Sequence, residues 1–336
     1  MSESAEVSVE EGTSTVAPQQ RVPDFFIVGH PKSGTTALYQ MLVRHPQVHM
    51  PVKEPRFFTP ELRSRFLSSR FSRLLPSRLP DTLDSYLALF ANAAPQQLIG
   101  EASPSYLRSS HAAERIAAVA PDARIIAIFR EPASFLRSFH LQSVHNHVET
   151  QKDFRRAFEL EPERRLGRRI PRLSQTPQTL LYSDHVRYSE QLRRYHAHFP
   201  PEKVLVLIYD DFRNDNAGTV QRVLDFLEVQ DIPPIEPVRT KPLPAIRSLT
   251  LHQLGRAVRL ARRGRGRGRG NRSGARGSGG PSRLSSLWRR AVYKPALAPD
   301  ESFMIELRRR YKGEVLALGE YIDRDLASLW GYDRLD

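Results

Sequence analysis

Residues 30 to 36 read HPKSGTT. These residue types can hold an oxyanion: an ammonium for charge, hydroxyls and backbone N–H groups for hydrogen bonds, and a glycine for close approach. The run before it, FFIVG, is apolar and strand-sized, and TTALYQML after it has apolar residues at helical spacing. A strand, a glycine turn and a helix in that order aim the first N–H groups of the helix at one point. The chemistry expected there is that of a phosphate or a related anion. Its candidate holders are Lys32, Ser33, Gly34, Thr35 and Thr36.

Gly29 and Gly34 nearly complete the phosphate-cradling pattern G-x-x-x-x-G-K-[ST], but the lysine stands before the second glycine instead of after it. A nucleotide kinase also needs an acid at the end of a later strand to hold magnesium. VLVLIYDD offers Asp210 and Asp211 for that role, so a P-loop kinase is one alternative reading. The position of Lys32 argues against it. Three histidines, His140, His145 and His147, form a second cluster. No pair of them has the i, i+4 spacing that puts two imidazoles on one helical turn, and no acid lies among them. Acceptor-site or surface positions are expected for them, not a metal site.

Strand-sized apolar runs at 25–29, 98–102, 124–130 and 204–211 must position these side chains. They alternate with amphipathic stretches: TTALYQMLVRH, HAAERIAAVA, HVRYSEQLRRYHAHF and AGTVQRVLDFLEV. Strands apolar on both faces and separated by helices give an α/β fold, three layers deep, with a central parallel sheet flanked by helices. Ligands of such sheets sit beyond the carboxyl ends of the strands. The 30–36 turn and Arg130, which closes RIIAIFR, both fall there. Phe57 and Phe58 are expected in the core, and ESFMIELRRRYKGEVLALGEYIDRDLASLW is expected to pack back onto the sheet as helix.

The 336 residues are 40% hydrophobic and include no cysteine. Disulfides, thiolate catalysis and Cys-built metal sites are thereby excluded. No apolar run is long enough to span a bilayer. Residues 1–22 begin with an acidic stretch that lacks the positive start and apolar middle of a secretory signal, so a disordered tail and a cytoplasmic protein are expected. Residues 23–336 are expected to form a single domain. The net charge of +14 has a local source, since Arg262 to Arg283 contains eight arginines and no acid. Taking those eight from +14 leaves +6, which suits an anionic substrate. The Arg/Gly-rich stretch at about 262–283 is expected to be a disordered insertion. RNA binding through it is a second alternative reading, though nucleic-acid binding is not expected. The oligomeric state is not legible.

HPKSGTT resembles the 5′-phosphosulfate loop of sulfotransferases that use 3′-phosphoadenosine 5′-phosphosulfate (PAPS). RIIAIFREPASFLRS resembles that family's second signature, a strand ending in arginine with a serine eight residues later, here Arg130 and Ser138. KEPRFF (53–58) is similar to the Lys-Glu-x-x-Phe-Phe segment of the heparan-sulfate-type carbohydrate branch. GEASPSYL (100–107) is similar to its Glu-Lys-x-Pro-x-Tyr segment, with Ala102 where those enzymes often have a catalytic lysine. The resemblance implies a P-loop-like fold and PAPS as sulfuryl donor, with no metal. It implies cofactor binding by Lys32, Ser33, Gly34, Thr35, Thr36, Arg130 and Ser138, the last two at the 3′-phosphate. Glu54 would be the catalytic base, and Lys32 would stabilise the leaving phosphate. The acceptor expected is a hydroxyl or amine of a sugar or sugar-bearing molecule. Lys241 and Arg247 are further candidates to close over the nucleotide.

Overall fold

The computed structural model describes residues 21–62, 79–171, 174, 176–229, 244–255, 288, 290–295 and 298–335. The acidic stretch 1–20, the Arg/Gly-rich stretch and Lys241 lie outside the described residues.

Five parallel strands form the central sheet: β1 (Phe25–Gly29), β2 (Val48–His49), β3 (Leu98–Ala102), β4 (Arg124–Phe129) and β5 (Val204–Ile208), in the order β2-β3-β1-β4-β5. Every residue of β1 is buried, which is why these strands read as unbroken apolar runs. Phe26 lies opposite Glu101 of β3 on one side and Ile125 of β4 on the other. Alternate side chains enter two cores. Phe26, Val28, Ile99, Ile125 and Phe129 pack on one face. Phe25, Ile27, Ile126, Ile128 and Leu207 pack on the other, against Ala37, Leu38 and Met41 of α1 (Thr35–Leu42). The three layers match the expected class.

Two boundaries differ from the sequence reading. The run 204–211 stops being strand at Ile208, because Tyr209–Asn214 is helical. Two acidic residues, Asp210 and Asp211, stand in its first turn, where the helix dipole favours them. At the other boundary β4 ends at Phe129, one residue short of Arg130. Glu131 then caps the helix Pro132–His145, its carboxylate accepting from Ala133 N at 3.0 Å and Ser134 N at 2.7 Å.

The C-terminal helix Glu301–Tyr321 lies against Pro132–His145 and against Tyr188–His196. It buries Phe303, Met304, Leu307 and Tyr311. Beyond it, the Tyr332 hydroxyl donates to the Glu131 carboxylate at 2.6 Å. Trp330 Nε1 donates to Asp210 at 2.9 Å. Arg324 pairs with Asp211 at 2.7 Å and holds that carboxyl below its usual range. Phe58 is core as expected, and Phe57 stacks on Tyr86 at 4.6 Å. Among the described residues no helix is long and apolar enough to cross a membrane.

Burial pushes several imidazoles below their ordinary range. His30, fully buried among Phe129, Phe135 and Tyr188, is lowered to about 3, and His185 falls well below its usual value. Both are neutral in the fold and charge when the chain unfolds below about pH 6.5. Their contribution is therefore complete above that pH and is lost as pH falls towards 3. Each such group costs about 1.4 kcal/mol per pH unit inside this window. Calorimetry is expected to show the melting temperature falling from pH 7 to pH 5, before ordinary carboxylates titrate, with a shallower fall in His30→Gln. An equally steep fall in the variant would contradict the assignment.

Candidate active site

The turn after β1 is built to present backbone. His30 N donates to Ile128 O of β4 at 2.7 Å, which fixes the start of the loop against the neighbouring strand. Gly34 has φ +87°, and a Cβ there would lie 2.7 Å from the Phe212 ring. Glycine is required on both counts. α1 begins at Thr35 with no capping side chain and no acid in its first turn. Its leading N–H groups are thus left to an outside anion.

Two cations face this helix start. Lys32, itself left-handed at φ 63°, donates from Nζ to Gln142 Oε1 at 3.2 Å. Arg130 donates to the Lys32 carbonyl at 2.8 Å, and its guanidinium lies 4.6 Å from the Tyr209 ring centroid. Tyr188 OH in turn donates to the Arg130 carbonyl at 3.0 Å. Burial, and then the nearby Arg130 charge, lower the Lys32 ammonium below its ordinary range. Among the described residues neither cation has an acidic partner. A polyanion would relieve both effects.

A cleft of about 880 Å³ opens over this arrangement. Lys32, Gly34, Thr35, Thr36, Arg130, Ser138 and Glu54 all line it, so the fold brings together residues spread over more than 100 positions. Ser33 is the exception. It is fully buried, and its hydroxyl has no hydrogen-bond partner among the described residues; only its backbone belongs to the loop.

Glu54 lines the same cleft as the 30–36 loop. Lys53 forms a parallel bridge with Ala102, and Glu54 N donates to Ala102 O at 2.9 Å, so this segment extends the sheet edge beyond β2. Glu54 and Arg56 both have left-handed backbone, with φ 62° and 53°. The Glu54 carboxylate pairs with Lys53 at 3.3 Å and with Arg56, whose Nε lies at 3.1 Å. Burial alone would raise this carboxyl; the charges of Arg56 and then Lys53 outweigh it and hold the group below its ordinary range. Glu54 is therefore ionised at neutral pH. Ala102, where the resemblance implies a lysine, is fully buried in the core.

The histidines at 140, 145 and 147 are corrected by the structure. None lines the cleft. His140 is buried, with Nδ1 3.0 Å from Tyr182 OH and Nε2 3.2 Å from Lys152 O. His145 stacks on Tyr293, and the buried His147 lies 4.5 Å from the ring of His252. Arg247, like them, is absent from the cleft lining; its N donates to Val292 O at 2.8 Å in a short antiparallel pair. Among the described residues no cluster of three or more His, Cys, Asp or Glu is placed to hold a metal ion. Asp210 and Asp211 are also outside the cleft lining, engaged by Trp330 and Arg324, which removes the feature that favoured a kinase.

Sequence reasoning missed Arg56, Arg108, His185 and Tyr209, all in the cleft lining. Arg108 donates to Gln178 O at 2.9 Å, and burial brings its guanidinium down to about 10. Tyr209 directly follows the carboxyl end of β5, so the strand-end rule applied to that strand would have found it.

The model of the sulfotransferase family matches residues 23–233 of the chain. The chain belongs to the sulfotransferase family. Human heparan sulfate glucosamine 3-O-sulfotransferase 3B1 is 28% identical over 213 residues, which cover 63% of this chain and 48% of that protein. Human bifunctional heparan sulfate N-deacetylase/N-sulfotransferase 3 is 27% identical over 213 residues, or 62% of this chain and 22% of that protein. The chain thus spans about half or less of the length of these curated relatives. A solved sulfotransferase from Alicyclobacillus acidocaldarius superposes with a TM-score of 0.63 at 24% identity, covering 92% of this chain and 99% of that one. That likeness extends to the fold.

Proposed function

We propose that the chain transfers a sulfuryl group from PAPS to a hydroxyl or amine of a sugar-bearing acceptor. The observation that carries this reading is the single cleft in which an uncapped helix start, Lys32 and Arg130 lie together with an ionised Glu54. The residues fit the cosubstrate: Gly34 permits close backbone approach, and the two cations answer its phosphates. Membership of the sulfotransferase family and similarity to glucosamine sulfotransferases support the donor and the acceptor class.

PAPS supplies the activated sulfuryl group when bound. Thr35, Thr36 and the first N–H groups of α1 would hold its 5′-phosphate, while Arg130 and Ser138 would hold the 3′-phosphate. Lys32 would neutralise the negative charge that grows on the departing phosphate oxygen, an interaction stronger in the transition state than before it. Glu54 would accept the proton of the acceptor hydroxyl or amine. Holding both partners in line in one cleft removes most of the entropic cost of their meeting.

Incubation with PAPS and a panel of glucosamine-containing oligosaccharides, followed by mass spectrometry, tests the reading. A mass gain of one sulfate that depends on PAPS is expected. Magnesium-dependent ATP turnover with no sulfate gain would contradict it.

A further inference from the structure

Glu101 is fully buried on β3, on the face of the sheet where Phe26, Phe58, Tyr86 and Tyr106 form the core. A carboxylate in such a place is costly unless it is hydrogen-bonded or protonated. Tyr86 and Tyr106 both donate to its Oε2, at 2.8 and 2.9 Å.

The same groups carry the segment that presents Glu54. Phe58 N donates to Tyr106 OH at 3.4 Å, and Arg56 N donates to Ser103 Oγ at 3.1 Å. Phe57 stacks on Tyr86 with ring centroids 4.6 Å apart. Left-handed backbone at two non-glycine residues persists only where the surroundings over-determine it. Here three of the holding contacts run to neighbours of Glu101.

We propose that Glu101 is a positioning residue for Glu54. Its carboxyl anchors the side chains on which residues 54–58 are seated, and by carrying or releasing a proton it changes the charge against which Glu54 takes one up. This rests on Glu54 being the base. Arg56 and Lys53 keep Glu54 ionised but weaken it as a base; negative charge at Glu101 offsets them. Burial pushes the Glu101 carboxyl up to about 7 against the hydrogen bonds of Ser103, Tyr86 and Tyr106, and the Glu54 charge adds to the rise. The groups facing Glu101 are Tyr86, Tyr106, Tyr195 and Glu54. Burial raises the three phenols well above 10, so they stay neutral, and Glu54 is the charge that couples. As pH rises through about 7, Glu101 ionises, Glu54 holds a proton more strongly and turnover rises. The coupling must act equally in both directions.

The test follows glutamate carboxyl signals by NMR across pH in full-length wild type, Glu101→Gln and Glu54→Gln. Glu101→Gln keeps an oxygen for both tyrosine hydroxyls. The titration midpoint of Glu101 is expected to fall in Glu54→Gln, whereas that of Glu54, which titrates where Glu101 is already neutral, is expected to hold in Glu101→Gln. Turnover of PAPS with a heparan oligosaccharide should lose its rise across neutral pH in Glu101→Gln. It should be about two- to fivefold below wild type at pH 8, with KM for PAPS unchanged. A merely structural role would lower turnover at all pH values alike. If the Glu101 midpoint does not move in Glu54→Gln, the proposal is overturned, and this reading does not depend on Glu101→Gln folding. A shifted Glu101 midpoint with an unchanged turnover profile would overturn the base assignment to Glu54 and leave the coupling standing.

Discussion

Glu54→Gln is expected to lower turnover by about 10²–10⁴ while cofactor affinity changes by less than about twofold. The amide is nearly the same size and can still accept hydrogen bonds from Arg56 and Lys53, which hold the carboxylate now. It cannot take up a proton. The left-handed backbone at 54 is fixed by the bridge to Ala102 and by Ser103, not by the carboxylate, so the substitution should leave the fold intact. Single-turnover kinetics with PAPS and an accepted sugar, together with calorimetry of the product nucleotide, measure both quantities. Near-normal turnover would place the base elsewhere, and His185, which also lines the cleft, would be the next residue to change.

Lys32→Ala is expected to differ in kind. It should weaken binding of adenosine 3′,5′-bisphosphate by about 10- to 100-fold, the worth of a charge-assisted hydrogen bond. It should also lower turnover by roughly a further 10²–10³, since the departing oxygen loses its neutralising charge. The melting temperature of the free protein should rise or hold, because the ammonium is destabilised there by burial and by Arg130. Unchanged nucleotide affinity together with unchanged turnover would show that Lys32 does not reach the phosphates.

The contrast between these variants bears on what the sequence made legible. The loop was readable because a strand, a glycine turn and a helix are local features, and the structure keeps them at Phe25–Gly29, Gly34 and Thr35–Leu42. Four strands were visible as apolar runs because a parallel sheet buries both faces. The two-residue β2 is too short to leave such a run. The end of β5 was misread because Tyr209 continues the apolar pattern while its backbone turns helical. Cleft residues that come from loops, such as Arg56 and Arg108, carry no periodicity, and only the tertiary fold brings them near Lys32. Ser33 fits the motif by its position, but a loop has an inner side, and its hydroxyl turns inward. Glu101 was invisible as a titrating group because its burial is a property of the packed core.

Calorimetry comparing adenosine 3′,5′-bisphosphate with adenosine 5′-phosphate and ATP asks whether the cleft selects a nucleotide with a 3′-phosphate. Arg130 and Ser138 line the cleft together, and the bisphosphate is expected to bind at least about tenfold more tightly than either rival. That preference should vanish in a variant with both residues changed to alanine. Equal affinity of the unaltered protein for all three nucleotides would mean that Arg130 and Ser138 hold no 3′-phosphate.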